Sequence, residues 1–311
     1  MKKSVFAALL TGFLALSSFS ADAASLSAIY DFRDQFDATK TSFEGLDFTN
    51  DGMLWITSAP NTSLTQNLFG VNLEDKTFKT LSYSKKPGLF SAFNPVGLAS
   101  DGTNLFVASN NAAWKAPSVL YKDAAEIDGK VASMGSLDVA DCKEPEGAAY
   151  LNGFIYVSCE ATKNVVKINP QTGKVVEKID FGVSLLGLGA TETSLIIGTY
   201  GSNPLDRQLL IYDIATKKVT ETINLADLFV GAESDYAKMT GEEYKVTIVD
   251  NKTVRYIPDP DGLAYRNGKI YMTFEHDLRV YEITTTPEPT TLLLLGAGLL
   301  GLAKWRKAAK K

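Results

Sequence analysis

Five stretches of the chain repeat one pattern: a glycine followed by a small or aliphatic residue, a polar turn, an apolar run of β character, and then a polar residue. Repetition constrains the fold more tightly than local propensity. One such unit cannot bury its own apolar face and must stack on its neighbours. Four copies align without a gap: Gly97-Leu98 to Ser109-Asn110, Gly147-Ala148 to Cys159-Glu160, Gly187-Leu188 to Tyr200, and Gly262-Leu263 to Glu275. A fifth, Gly45-Leu46 through Asn50-Asp51-Gly52 to Leu54-Trp55-Ile56, carries one extra residue in its turn. The turns Asp101-Gly102, Asn152-Gly153 and Asn267-Gly268 tolerate the positive φ angles of tight connections, so each copy reads as a β-hairpin.

Several copies continue into a third and fourth strand. Asn164–Ile168 and Lys174–Ile179 flank the turn Asn169-Pro170-Gln171-Thr172-Gly173, and Gln208–Ile214 and Lys218–Ile223 flank Ala215-Thr216-Lys217. Four consecutive antiparallel strands make one propeller blade. The repeat glycines at 45, 97, 147, 187 and 262 are spaced as blades, except across the last interval. That interval holds Leu225 to Ile257, with a short helix at Ala226–Phe229 and a hairpin around Asp250-Asn251-Lys252, and reads as an insertion or a degenerate sixth blade. The last copy supplies only three strands, so the fourth is expected from the chain start, at Ser27–Phe32, which would close the ring and remove an exposed edge. The expected fold is therefore all-β, a five-bladed β-propeller over residues 24–286 with a sixth blade possible. A β-sandwich is the runner-up.

The ends of the chain are foreign to its middle. Met1-Lys2-Lys3, the apolar run Val5–Leu16 and Ala21-Asp22-Ala23 have the three parts of a secretory signal over residues 1–23, with cleavage expected before Ala24. At the other end, residues 287–311 hold Pro287-Glu288-Pro289, then Thr290–Ala303, rich in Leu and Gly, then Lys304, Arg306, Lys307, Lys310 and Lys311. Fourteen helical residues reach about 21 Å against a hydrocarbon core of roughly 30 Å, too short for a firm permanent span. A transient anchor fits better, with the basic cluster kept cytoplasmic. Without these ends, the centre carries 24 basic and 34 acidic side chains, a net charge of −10, which repels nucleic acid. A single histidine and two cysteines argue against zinc-finger and haem-attachment chemistry.

The tail resembles the PEP-CTERM sorting signal of exported bacterial proteins. That resemblance implies recognition of Pro287-Glu288-Pro289 by an exosortase after signal peptidase has acted, removal of the apolar helix, and delivery to the cell surface or extracellular matrix. The body is similar to extracytoplasmic propellers of the NHL, gluconolactonase and strictosidine-synthase-like group, on the stretches Pro95-Val96-Gly97, Glu144-Pro145-Glu146-Gly147 and Asp259-Pro260-Asp261-Gly262.

Candidate chemistry gathers where inner strands begin and second strands end. The repeat puts Glu146 beside Glu160 and Asp261 beside Glu275, with Glu44 and Asn110 on the same rim. Five carboxylates and an amide suit a hard cation such as calcium, which takes six to eight oxygen ligands. Resemblance to the gluconolactonases implies Glu44 or Glu146, with Asn110 and Asp261, as ligands. The same acids also suit a plainer role, solvating turns or accepting backbone N–H bonds. His276 could act as a base, or be structural; Tyr200, Trp114 and Trp55 could stack on sugars, or pack between strands. No Gly-x-Ser-x-Gly elbow is present. Cys142 and Cys159 flank one inner hairpin and are expected to form a structural disulfide in an oxidising compartment. The expected function is surface binding or scaffolding, of an extracellular polysaccharide or a small molecule. A calcium-dependent lactonase or esterase at the channel mouth is the alternative.

Overall fold

The computed structural model describes residues 24–36, 41–58, 66–83, 95–109, 119–124, 131–136, 141–201, 207–249, 252–254, 259–274 and 277–285. Contacts divide the chain into a compact unit, Ser25–Thr284, and a second unit of Met1–Ala24 with Thr285–Lys311.

Among the described residues, the larger unit carries five four-stranded antiparallel sheets. After the N-terminal strand β1 (Ser25–Asp31), the first blade is β2 (Leu46–Phe48), β3 (Leu54–Ser58), β4 (Gln66–Val71) and β5 (Phe78–Tyr83). The second is β6 (Pro95–Ser100), β7 (Asn104–Ser109), β8 (Val119–Ala124) and β9 (Val131–Ser136). The third is β10 (Pro145–Leu151), β11 (Phe154–Cys159), β12 (Asn164–Asn169) and β13 (Lys174–Asp180). The fourth is β14 (Ser184–Ala190), β15 (Ser194–Tyr200), β16 (Gln208–Asp213) and β17 (Lys218–Asn224). An insertion follows, with helices α1 (Leu225–Phe229) and α2 (Asp235–Thr240) and the hairpin β18 (Val246–Val249) and β19 (Lys252–Val254). The fifth blade is β20 (Pro260–Arg266), β21 (Lys269–Phe274) and β22 (Asp277–Thr284), completed by β1.

Strand β1 pairs antiparallel with β22, Ser25 opposite Thr284 and Asp31 opposite Arg279, so the chain start closes the ring as the repeat count requires. The innermost strands β2, β6, β10, β14 and β20 each pack on the next, and β20 returns to β2. Because β14 meets β20 directly, Leu225–Ile257 is an insertion and not a sixth blade.

The repeat glycines make this closeness possible. A Cβ on Gly97 would lie 2.7 Å from the Ala148 nitrogen and 2.9 Å from the Glu146 carbonyl oxygen. Gly45 meets the backbone at Val96–Leu98, Gly147 meets Gly187-Leu188, Gly187 meets Pro260-Asp261, and Gly262 meets the Glu44 carbonyl. Each glycine thus removes the side chain that would hold its blade off the next.

The core is a set of layers between blades. Phe106 and Ala108 of the second blade interlock with Ile155, Val157 and Val166 of the third. Tyr156 and Val165 of the third pack with Leu188, Leu195 and Ile197 of the fourth. Leu46, Leu54 and Ile56 of the first close on Ala264, Tyr271 and Val280 of the fifth, with Phe32 and Phe43. Within the third blade a disulfide joins Cys142 and Cys159, with Cα atoms 5.2 Å apart and both residues buried.

Candidate functional site

The mouth of the hub is built from the residue before each repeat glycine: Glu44, Val96, Glu146, Leu186 and Asp261. In four blades the register between first and second strands shifts across this position, between Pro95 and Gly97, Pro145 and Ala148, Leu185 and Leu188, and Pro260 and Gly262. Such bulges take a residue out of the ladder and re-aim it. In the first blade the ladder begins only at Leu46, and Glu44 donates its amide to the Thr57 carbonyl at 3.0 Å.

Freed from the ladder, these carbonyls turn toward the preceding blade, where a second-strand hydroxyl meets them. Thr57 Oγ1 donates to the Val96 carbonyl at 3.3 Å, Thr273 Oγ1 to the Glu44 carbonyl at 2.6 Å, and Ser158 Oγ to the Leu186 carbonyl. The Gly147 amide donates to Ser158 Oγ at 2.7 Å, so that hydroxyl serves both blades. Ala108 and Gly198 occupy this position in the other two blades, and Gly198 leaves room for Pro260. Sequence reading missed these staples, although a hydroxyl eleven residues after the glycine in two copies, and twelve in the copy with the longer turn, was the available signal.

The predicted rim acids divide. Glu44 is 6% exposed and accepts a hydrogen bond from Ser42 Oγ at 2.7 Å, which accounts for an otherwise costly buried carboxylate. Glu146 and Asp261 are half-buried at the mouth, and both are partnered. Val96 and Leu186, 6% and 7% exposed, separate Glu146 from the other two acids around the ring. Burial first, and then the charge of Glu144, raise the Glu160 carboxyl above its usual range. The charge that reaches Glu160 is thus that of Glu144, whose carbonyl also accepts the Glu160 amide at 2.7 Å. Glu144 has φ of 58°, a left-handed backbone that L residues adopt at a cost of roughly 1–2 kcal/mol. Asn110, Glu275, His276, Trp114 and Pro287-Glu288-Pro289 lie outside the described residues. Among the described residues, no group of three or more His, Cys, Asp or Glu side chains stands close enough to hold a metal ion. Calcium at the mouth would therefore need ligands from Asn110 or Glu275, carbonyls or solvent to complete its shell.

Of the predicted aromatic candidates, Trp55 is buried and Tyr200 is exposed. Trp55 is 5% exposed and its Nε1 donates to Thr49 Oγ1 at 3.1 Å, so it belongs to the core of the first blade. Tyr200 is 41% exposed, with the Arg207 guanidinium 5.2 Å from its ring centre.

The strongest polar cluster was not legible in the sequence. Arg279 donates from Nε to Asp277 Oδ1 at 2.6 Å, from Nη2 to Asp277 Oδ2 at 2.7 Å and from Nη1 to the Tyr236 hydroxyl at 2.5 Å. The Tyr244 and Tyr281 hydroxyls both donate to Asp277 Oδ2, at 2.9 and 2.5 Å. Burial first, and then the Asp277 charge, push both phenols well above their ordinary range, which keeps them neutral donors. Tyr236 and Tyr244 come from the insertion, and Asp277, Arg279 and Tyr281 from β22, so the cluster fastens the insertion to the closing blade. Asp235 of α2 extends the latch by accepting the Leu26 amide of β1 at 2.9 Å. A buried pair with every polar atom engaged is costly to break, which suits a latch better than a reacting centre.

Residues 285–308 match the PEP-CTERM protein-sorting motif. No curated protein matches this chain. Among solved structures, glutaminyl cyclase from Myxococcus xanthus is similar at 17% identity with a TM-score of 0.55, covering 84% of this chain and 95% of that one. The PQQ-bound aldose sugar dehydrogenase from Streptomyces coelicolor aligns at 12% identity with a TM-score of 0.47, covering 86% and 84%. At 17% identity the likeness to the glutaminyl cyclase speaks to fold and not to activity. Among the described residues, no helix is long and apolar enough to cross a membrane. The chain is a β-propeller carrying a PEP-CTERM sorting motif, which implies an exported protein sorted to the cell surface by an exosortase.

Proposed function

We propose that this protein is a binding or scaffold module of the cell envelope or extracellular matrix, held transiently by its apolar C-terminal segment until an exosortase trims it. The observation that carries the reading is the hub mouth itself. Acidic Glu44, Glu146 and Asp261 share a ring with apolar Val96 and Leu186; four of these positions lie at bulges, and hydroxyls of the preceding blade hold the Glu44, Val96 and Leu186 carbonyls. A mixed polar and apolar rim on a rigid support suits recognition of a ligand at little ordering cost.

The test has two arms. Replacing Pro287-Glu288-Pro289 by alanines leaves an untrimmed, membrane-associated protein if the sorting reading holds; normal trimming refutes it. Secreted wild-type protein is expected to sediment with the extracellular polymer of its own cells, and an unbound supernatant pool refutes the matrix role.

A second reading rests on Glu160. A carboxyl raised above its usual range by burial and by Glu144 suits acid–base work at the rim, where calcium, if held by Glu146 and its neighbours, would supply polarisation of a carbonyl. Calorimetric calcium titration with a lactone and ester panel separates the two. Stoichiometric binding lost in Glu146→Gln, together with turnover, supports the hydrolase; neither one leaves the binding module.

A further inference from the structure

Opposite the hub mouth, where the hairpin turns lie, a cleft of about 420 Å³ opens between the first and fifth blades. That volume falls within the roughly 300–1,000 Å³ of small-ligand sites. Its floor is a committed network. Glu282, 3% exposed, accepts from Ser27 Oγ at 2.8 Å, Tyr30 OH at 2.9 Å and Lys269 Nζ at 2.7 Å. Burial alone would raise this carboxyl, but those three donors hold it below its usual range, so Glu282 is ionised and the Lys269 charge is spent on it.

Arg266 is different. Its guanidinium lies over the Phe48 ring, 5.1 Å from the centre, and Phe48 is braced by the edge of Tyr271 at 4.8 Å. Gly52 admits it, since a Cβ there would stand 3.2 Å from Nη1 and 3.3 Å from Nη2. Among the described residues no carboxylate pairs with Arg266, although Asp51 and Glu74 line the same cleft. A planar fork held by stacking and short of an anion is the group that recognises a carboxylate in bidentate fashion. Around it, the acceptors of Asp51, Asn72 and Glu74 suit hydroxyl donors.

We propose that this cleft binds a uronate unit of an acidic polysaccharide, its carboxylate on Arg266 and its hydroxyls on Asp51, Asn72 and Glu74. A phosphate dianion fits less well, because three carboxylates line the cleft against two cations. The proposal rests on the reading of the protein as a surface-binding module and adds to it a ligand class and a second site, separate from the hub mouth.

The test is calorimetric titration of the full-length protein with glucuronate, galacturonate and mannuronate disaccharides, their neutral counterparts, and inorganic phosphate. At least one uronate is expected to bind at least tenfold more tightly than its neutral counterpart. Arg266→Gln should weaken it at least tenfold, and Arg266→Lys should restore only part of the loss. Lys218→Gln, on the exposed outer strand of the fourth blade, should leave it unchanged, and an unaltered melting temperature for Arg266→Gln excludes misfolding as the cause. Glu74→Gln, which keeps a carbonyl acceptor, should cost less than threefold. No binding by any uronate, equal binding of the neutral sugars, tighter binding of phosphate, or full affinity in Arg266→Gln overturns the proposal. Should the protein still hold its own extracellular polymer in that event, the surface-binding reading survives and the cleft alone is wrong.

Discussion

Gly97→Ala and Gly153→Ala add the same methyl group to two glycines that do different work. At Gly97 the new carbon would stand 2.7 Å from both the Ala148 nitrogen and the Gly147 carbonyl carbon, and 2.9 Å from the Glu146 oxygen. All three are backbone atoms of the next blade, which cannot swing aside like a side chain. Because β6 and β10 are wedged in a closed ring, relief at one joint tightens another. Overpacking usually costs 1–3 kcal/mol where side chains can yield, so a cost of about 3 kcal/mol or more is expected here. At Gly153 nothing lies within 4 Å and the penalty is the left-handed backbone at φ of 83°. That penalty, ~1–2 kcal/mol, is partly offset by a less flexible unfolded chain, leaving about 1 kcal/mol. At roughly 2–4 °C per kcal/mol for a domain of this size, thermal unfolding followed by far-UV circular dichroism should drop by about 6–12 °C for Gly97→Ala and about 2–4 °C for Gly153→Ala. If Gly97→Ala melts within about 2 °C of wild type, or if Gly153→Ala proves the more damaging, then the glycine ring is not what sets the blade spacing.

Two further outcomes follow from other parts of the ring. The Cys142–Cys159 bridge closes a loop with a sequence separation of 17, for which chain entropy gives about 3 kcal/mol; a Cys142→Ser, Cys159→Ser double variant should lose that much by urea unfolding, and an unchanged midpoint would contradict it. Asp47 joins the first two blades by accepting the Phe48 amide at 2.8 Å and the Ser100 amide at 2.6 Å, yet burial lifts its carboxyl from near 3.8 to about 7 despite both donors. The folded state therefore binds this proton more tightly than the unfolded chain does, so stability contributed below pH 4 is lost as pH rises through 7. Three units would amount to about 4 kcal/mol, and partial exposure of the residue reduces the expected loss to about 1–2 kcal/mol. Melting temperatures at pH 5 and pH 8 should differ less in Asp47→Asn than in wild type, and an identical difference in both rules Asp47 out.

How far the sequence reached depends on the range of the interaction. The five glycines, the Asn-Gly and Asp-Gly turns and the missing fourth strand of the last copy are local or periodic features. Periodicity alone dictates stacked hairpins and a borrowed closing strand, and β1 against β22 is that strand. The sorting motif over residues 285–308 is a linear code, read by an enzyme along an extended chain, so it too was legible. Which residues meet across blades was not. Nothing near Tyr244 in the chain announces Asp277, and Thr273 gives no sign that its partner is the Glu44 carbonyl, because folding brings together residues 33 positions apart in the first case and 229 in the second. The same holds for the rim and the cleft. Sequence placed acids at strand ends, but only packing decided that Glu44 is buried against Ser42, that Val96 and Leu186 interrupt the acidic ring, and that Arg266 stands on Phe48 without a carboxylate partner among the described residues. Patterning along the chain fixes what repeats. Burial and charge pairing belong to the three-dimensional neighbourhood, and that neighbourhood exists only once the ring has closed.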